Sequence, residues 1–304
     1  IITTVNYLSV IDELHEIGFV MGDDFCVTPL LNTREAKDRL FEFDRKILVS
    51  SPEHAQSKET GGGLYLLDPV KDSAVKILSG KGRDLCRLPD GYGWIDNLRG
   101  LIFLDYQFNE TSICELPANC EAHGIVYDGK RNNILVGFAG RDSIGVYNYD
   151  SKELINEIRI SPKWEINFKD NHHINDLCII SDSLFFSMFS YSGNWPNECY
   201  DGVVAEYDLA RNTLVGPVIN NLWMPHSVKR VWGKLMVLDS MRGQITDMNH
   251  GISGRFDSFI RGFDASDNYL LIGASEHRYP EKAPAGAMNI PLDAGVFIFE
   301  PKSK

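Results

Sequence analysis

One phrase recurs along this chain and constrains the fold more than any other feature: a short apolar strand that ends in an acidic or amide residue and a turn. It reads Leu64-Tyr-Leu-Leu-Asp68, Val146-Tyr-Asn-Tyr-Asp150, Val204-Ala-Glu-Tyr-Asp208, Ile245-Thr-Asp-Met-Asn249 and Val296-Phe-Ile-Phe-Glu300. A second phrase, a short apolar run, occurs six times and lies upstream of each: Ile47-Leu-Val-Ser50, Leu101-Ile-Phe-Leu-Asp105, Ile134-Leu-Val-Gly137, Leu184-Phe-Phe-Ser187, Leu235-Met-Val-Leu-Asp239 and Leu270-Leu-Ile-Gly273. Continuous apolar runs of this length are the pattern of strands buried on both faces. A third phrase precedes the second: His123-Gly-Ile125, Asn175-Asp-Leu177, His226-Ser-Val228 and Arg261-Gly-Phe263. Asn175 to Leu184, His226 to Leu235 and Arg261 to Leu270 span the same nine positions. Each unit is therefore strand, tight turn, apolar strand, polar loop, strand ending in Asp, then a weakly marked outer strand.

Repeats of this kind define the architecture. The 304 residues divided over six units give about 50 per unit, close to a four-stranded propeller blade. The predicted fold is all-β: one β-propeller spanning residues 1–304 as a single domain, six-bladed, with five or seven blades as alternatives. The predicted blades are 32–80, 81–118, 119–162, 163–221, 222–258 and 259–304. The last lacks an outer strand, and Thr3-Thr-Val-Asn-Tyr-Leu-Ser-Val10 is the expected donor, which would close the ring and remove an exposed edge. Residues 10–18 and 34–42 are the only helix candidates.

Composition narrows the function. The net charge of −12 opposes nucleic acid and anionic membranes, so neither is expected as a partner. No run of apolar residues is long enough to cross a bilayer. The six cysteines include no CxxC pair, and several lie in apolar strands, as in Leu177-Cys178-Ile179-Ile180. Reduced, buried thiols and a cytoplasmic location are the expectation. The absence of GxSxG, HExxH, Walker and dinucleotide motifs leaves no nucleotide cofactor and no serine hydrolase.

Two antiparallel strands joined by a tight turn begin and end together, so the start of each inner strand and the loop after the second strand meet on one face. The unusual polar residues fall there. Strand starts carry His123, Asn175 (preceded by His172 and His173), His226 and Arg261, with Asp90 or Tyr92 expected from the second blade. Loops carry Glu53-His54, Asp105-Tyr106, Arg141, Tyr191 with Trp195, Asp239-Ser240 with Arg242, and Glu276-His277-Arg278. Six of the eight histidines map to this face. Such a ring suits acid–base work on an anionic substrate, and imidazoles with carboxylates suit a divalent metal. The expected catalytic residues are His123, His173, His226, Glu276 and His277. His173, His226 and Glu276 are the candidate metal ligands. Arg261, Arg278, His172, Glu53 and His54 would hold the substrate, and Tyr106, Tyr191 and Trp195 offer stacking faces. A histidine at a strand start can equally be a backbone anchor, Asp239-Ser240 can simply cap a turn, and Gly61-Gly62-Gly63 opens a strand, as a flexible loop does, rather than cradling phosphate.

Met224-Pro-His-Ser227 followed by Gly233-Lys-Leu-Met-Val-Leu-Asp-Ser240, and Ile260-Arg-Gly-Phe263 followed by Leu271-Ile-Gly-Ala-Ser275, resemble phrases of an uncharacterised, mainly bacterial propeller-like family, over roughly residues 120–300. That resemblance implies weight for His226 and Arg261 and brings no reaction. The mouth is also similar in layout to virginiamycin B lyase-type and gluconolactonase-type propellers, which implies a divalent ion (Mn²⁺, Mg²⁺, Zn²⁺ or Ca²⁺) at the axis. The expected function is a lyase, hydrolase or isomerase acting on a small anionic or polyhydroxylated substrate, such as a sugar acid or sugar phosphate. The rival is a non-catalytic propeller that holds a glycan, a peptide or a partner subunit.

Overall fold

The computed structural model of the chain describes residues 43–52, 61–256, 258–275 and 295–301. The repeats fold into six antiparallel sheets whose strands follow one another in chain order. The first is β1 (Ile47–Ser51), β2 (Gly63–Asp68) and β3 (Ser73–Ser79). The second is β4 (Gly82–Leu88), β5 (Gly91–Asp96), β6 (Gly100–Asp105) and β7 (Glu110–Cys114). The third is β8 (Ala122–Asp128), β9 (Asn133–Phe138), β10 (Ser143–Asn148) and β11 (Leu154–Arg159). The fourth is β12 (Ile174–Ile180), β13 (Ser183–Met188), β14 (Gly202–Asp208) and β15 (Thr213–Leu222). The fifth is β16 (Pro225–Val231), β17 (Lys234–Asp239), β18 (Gln244–Asp247) and β19 (Ile252–Arg255). The sixth is β20 (Phe259–Ala265), β21 (Leu270–Ser275) and β22 (Gly295–Phe299). These are the blades of a six-bladed β-propeller, as the repeats predict, and their limits fall within the predicted blades except that β15 runs one residue past the predicted end of the fourth, to Leu222. The only α-helix among the described residues is the five-residue α1 (Lys163–Asn167). The predicted closing strand and both helix candidates lie outside the described residues.

Packing divides the chain into two units. One comprises residues 1–49 and 65–77, the other residues 50–64 and 78–304. In the first, Phe43 and Ile47 are buried.

The aspartates that end the third strands β6, β14 and β18 have a structural task. Asp105, Asp208 and Asp247 accept backbone N–H groups of the turn that follows: Gln107 and Asn109 at 2.9 and 2.8 Å, Ala210 and Arg211 both at 2.9 Å, Asn249 and Gly251 at 2.9 and 3.0 Å. A side chain that satisfies two turn donors makes the hairpin self-supporting. The apolar runs are buried on both faces because each blade stacks on the next. Leu101 and Phe103 of β6 join Ile134, Val136 and Phe138 of β9 in one cluster, and Val204 of β14 joins Val228 and Val237 of the fifth blade in another.

The consecutive blade-opening strands β4, β8, β12, β16 and β20 pack on one another and so line the axis. The second blade corrects one assignment. Leu101-Ile-Phe-Leu-Asp105 is β6, the third strand. The second strand is Gly91-Tyr-Gly-Trp-Ile-Asp96, whose glycines hide the apolar pattern.

Candidate functional site at the channel mouth

All five inner strands lose register with their neighbour at the same place. The slip lies between Gly82 and Leu85 in β4, Ala122 and Ile125 in β8, Ile174 and Leu177 in β12, His226 and Lys229 in β16, and Ile260 and Gly262 in β20. A bulge releases residues from the ladder and re-aims their side chains. The released residues are Arg83-Asp84, His123-Gly124, Asn175-Asp176, Ser227-Val228 and Arg261. All except Val228 line one cavity of about 140 Å³, joined by Ser50, Pro52, His226, Lys229, Gly262 and Phe263. Gly124 is needed for the close approach of β12, because a Cβ there would stand 2.6 Å from both the Asn175 carbonyl oxygen and Asp176 Cα.

His123 Nδ1 lies 3.2 Å from Asn175 Oδ1. An amide oxygen only accepts, so Nδ1 carries the hydrogen and the lone pair sits on Nε2. Burial, then the neighbouring His173 and Arg83, push this imidazole well below its usual range, so it is neutral at pH 7. The same contact leaves Asn175 Nδ2, on a side chain only 6 % exposed, with no partner among the described residues. A buried donor left without a partner is costly, and here it belongs to a residue lining the cavity.

His226 stands between Met224 and Ser227, both in the left-handed region with φ of 52°. Its Nδ1 lies 3.0 Å from the Met224 carbonyl oxygen and 2.9 Å from Ser240 Oγ. The carbonyl fixes the hydrogen on Nδ1. His173 also has φ of 52°. Its N–H donates to Asp170 Oδ1 at 2.8 Å, and its ring Nδ1 bonds the other oxygen of the same carboxylate. An aromatic seam backs the three rings: His173 meets His123 edge-on at 4.9 Å, Phe189 lies 4.2 Å from His173 and 5.1 Å from His226, and Trp195 lies 5.2 Å from His173. Asp142 anchors this segment by accepting the N–H groups of Asn171 and His172.

Asp84, Asp176 and Lys229 complete the cavity. Ile125 N–H donates to Asp84 Oδ2 at 3.0 Å, and Leu177 N–H to Asp176 Oδ1 at 2.8 Å. Burial, then the charge of Asp176, raise Asp84 to about 8. Burial also raises Asp176. Burial works against the Lys229 ammonium, but Asp264, Asp84 and Asp176 outweigh it and hold it above its usual range.

The predicted site residues therefore separate. His123, His226 and Arg261 line the cavity, and His173 and Trp195 stack beside it. His172 turns away: its Nδ1 bonds the Ser190 carbonyl oxygen at 2.9 Å, and its Nε2 lies against Gly193. Tyr191 is half exposed on the same loop. Tyr106 is a correction. It follows β6, and its hydroxyl donates to the Leu88 and Pro89 carbonyls at 3.1 Å, at the end of β4 away from the cavity. Asp90 and Tyr92 share that end, and Arg83 and Asp84 take the place foreseen for them. The broad arginine funnel is reduced: Arg141 is paired with Glu157 at 3.0 Å and Arg242 with Asp239 at 2.6 Å. Glu53, His54, Glu276, His277 and Arg278 lie outside the described residues. Arg83, Asp84, Asp176 and Lys229 escaped sequence reading, although Arg83-Asp84-Leu85 parallels Asn175-Asp176-Leu177.

Among the described residues no three His, Cys, Asp or Glu side chains form a group that could hold a metal ion. His123 and His173 meet edge to face through their rings, and Glu276, the expected third ligand, lies outside the described residues. The described donors alone thus do not make a metal centre.

No protein-family model matches this chain, and no curated protein does. Solved structures do. A protein of unknown function from Bacteroides caccae aligns with a TM-score of 0.57 at 14 % identity, over 84 % of this chain and 90 % of that one. Virginiamycin B lyase from Staphylococcus aureus aligns with a TM-score of 0.51 at 10 % identity, over 85 % of this chain and 89 % of that one. A protein provisionally described as a gluconolactonase aligns at 0.49 with 16 % identity, over 72 % and 78 %. The likeness to virginiamycin B lyase-type propellers noted in the sequence is met at the level of fold, and an identity this low speaks to fold alone.

Proposed function

We propose that the channel mouth is an acid–base site that binds and transforms a small, anionic, polyhydroxylated molecule such as a sugar acid. One observation carries the reading: bulges at one level of five inner strands gather oriented imidazoles, two arginines and a buried amide donor with no partner among the described residues around a single cavity. A merely structural axis has no need to hold such groups out of the sheet ladder.

Each group has a role that its surroundings suit. Arg83 and Arg261 would hold the anion, because guanidinium groups bind carboxylates through charge-assisted hydrogen bonds. Asn175 Nδ2 would donate to a substrate oxygen. His123 Nε2, neutral at pH 7, would take a proton from water or from carbon. His173 and His226 would support the same transfer, with Asp170 and Met224 fixing their tautomers. A lyase, a hydrolase or an isomerase would each use this proton abstraction.

The test is a nuclear magnetic resonance screen of aldonic acids, uronic acids, their lactones and sugar phosphates for conversion by the full chain. At least one should turn over. His226→Ala and His123→Ala should each lower the rate by about 10²–10⁴-fold without change in circular dichroism or melting temperature. Variants that keep full activity would remove the assignment. Binding without any conversion would favour the non-catalytic rival.

A further inference from the structure

A second cavity, of about 260 Å³, lies beside the channel mouth. The two share wall segments. Asn171 lines the second cavity, and His173, two residues on, meets His123 of the first edge-on. Asn194, Pro196 and Asn197 also line the second cavity. Trp195, among them in sequence, sets its ring 5.2 Å from His173 and 5.0 Å from Phe189. Two residues of extended chain reach at most about 7 Å. The cavities are thus neighbours on one rim, within the length of two linked sugar rings.

Hydrogen bonds hold this part of the rim in shape, as a pre-formed ligand site requires. The Trp195 N–H donates to the Asn171 carbonyl oxygen at 3.0 Å and ties the two wall segments together. Asn171 is 2 % exposed. Its Nδ2 donates to Asp142 Oδ2 at 2.8 Å, and its Oδ1 accepts from Asn167 Nδ2 at 2.7 Å. Lys163, on α1, donates to the Ser192 and Gly193 carbonyl oxygens and fastens the helix to that loop. A Cβ at residue 193 would stand 2.6 Å from His172 Nε2, so the loop packs on this ring because Gly193 has none.

The lining has a definite chemistry. Lys163 and Lys169 are its charged residues, and among the described residues no carboxylate lines it, although the chain carries a net charge of −12. The Lys169 ammonium and the Asn197 amide make no hydrogen bond or ion pair among the described residues. An amide places a donor and an acceptor side by side, which matches a hydroxyl, a group that also does both. Ile166, 78 % exposed, and the exposed Pro196 offer apolar contact to the C–H face of a sugar ring. An ammonium matches a carboxylate on that ring. Among the described residues no aromatic side chain lines this cavity, so it lacks the stacking face that a nucleobase uses.

We propose that this cavity is a second sugar subsite, and that the ligand of the channel mouth is an acidic oligosaccharide. Its terminal uronic acid enters the channel, and the next ring passes Trp195 into the cavity lined by Asn194 and Asn197. This rests on the proposed function and names its substrate class. Arg83 and Arg261 hold the terminal carboxylate. Lys169 holds the carboxylate of the next ring. Asn197 and the amide oxygen of Asn194, whose Nδ2 is committed to Ser192 Oγ at 3.0 Å, meet its hydroxyls.

Calorimetric titration of the full chain tests this, with the monomer, dimer and trimer of D-galacturonate, of D-glucuronate and of D-mannuronate. In at least one series the dimer should bind at least about tenfold more tightly than the monomer, the scale of one added charge-assisted hydrogen bond. The double variant Lys169→Ala, Asn197→Ala changes two exposed residues. It should remove that gain, with monomer affinity and melting temperature as in wild type. Arg261→Ala should weaken monomer and dimer alike. If no oligomer binds more tightly than its monomer, or if the gain survives the double substitution, the second subsite falls and the mouth remains a site for a single sugar acid. Dimer binding of full strength in Arg261→Ala overturns the bridging of the two cavities. If neither monomer nor oligomer binds in any series, the proposed function falls and the subsite with it.

Discussion

His123 and Asp84 share a cavity, and burial moves them in opposite directions, because burial disfavours whichever form is charged. The imidazole falls well below its ordinary value, and the carboxyl rises to about 8. The consequences for stability have opposite signs. Between the lowered His123 value and the 6.5 of an unfolded chain, the unfolded state binds more protons, so stability rises with pH and acidification costs stability. The melting temperature of His123→Gln relative to wild type should therefore rise from pH 7 to pH 5. The carboxylates whose pKa is lowered in the fold, such as Asp182 and Glu110, titrate below this window and do not obscure it. For Asp84 the folded state binds more protons between 3.8 and about 8, so stability declines as pH rises through that range. Asp84→Asn should flatten the decline between pH 6 and 9, and a thermal melt series reads it directly. A site residue whose removal stabilises the fold is expected where function holds a group in unfavourable surroundings.

At the scale of the element, the shared bulge is the feature that makes a site out of a repeat. Gly124→Ala tests it. The added Cβ would meet the β12 backbone at 2.6 Å, so β8 and β12 must separate at the cavity wall. A loss of about 1–3 kcal/mol is expected, together with weaker ligand binding, measured by denaturant melts and calorimetry. The blades themselves were legible in the sequence, because strands buried on both faces must be apolar throughout and the acidic residues that close the hairpins recur at fixed places. The second blade was not, since Gly91 and Gly93 interrupt its apolar strand and shifted the reading to β6. That shift moved Tyr106 to the wrong face and concealed Arg83 and Asp84. His123, His226 and Arg261 were recognisable because each begins a unit whose spacing is regular. The inward turn of Asp176 and Lys229 was not recognisable, because strict alternation places neighbouring residues on opposite sides and only a bulge breaks that rule. Likewise nothing in His172-His173 shows which ring faces the channel; the Asp170 and Ser190 contacts decide it.

The whole molecule carries a net charge of −12, yet Arg83, Lys229 and Arg261 line the cavity. Long-range repulsion disfavours polyanions, and only a small anion that reaches the channel mouth meets the local cations. Binding of nucleic acid should therefore be undetectable in a gel-shift series at physiological salt. No helix among the described residues is long and apolar enough to cross a membrane. The measurement that bears most directly on the channel mouth as a site for small anions is calorimetric titration of D-gluconate and D-glucuronate into wild type, Arg83→Ala and Arg261→Ala at pH 7. At least one ligand should bind wild type, and each substitution should weaken it by at least about tenfold, the scale of a charge-assisted hydrogen bond, with unchanged melting temperature. Binding of equal strength in all three proteins would contradict it.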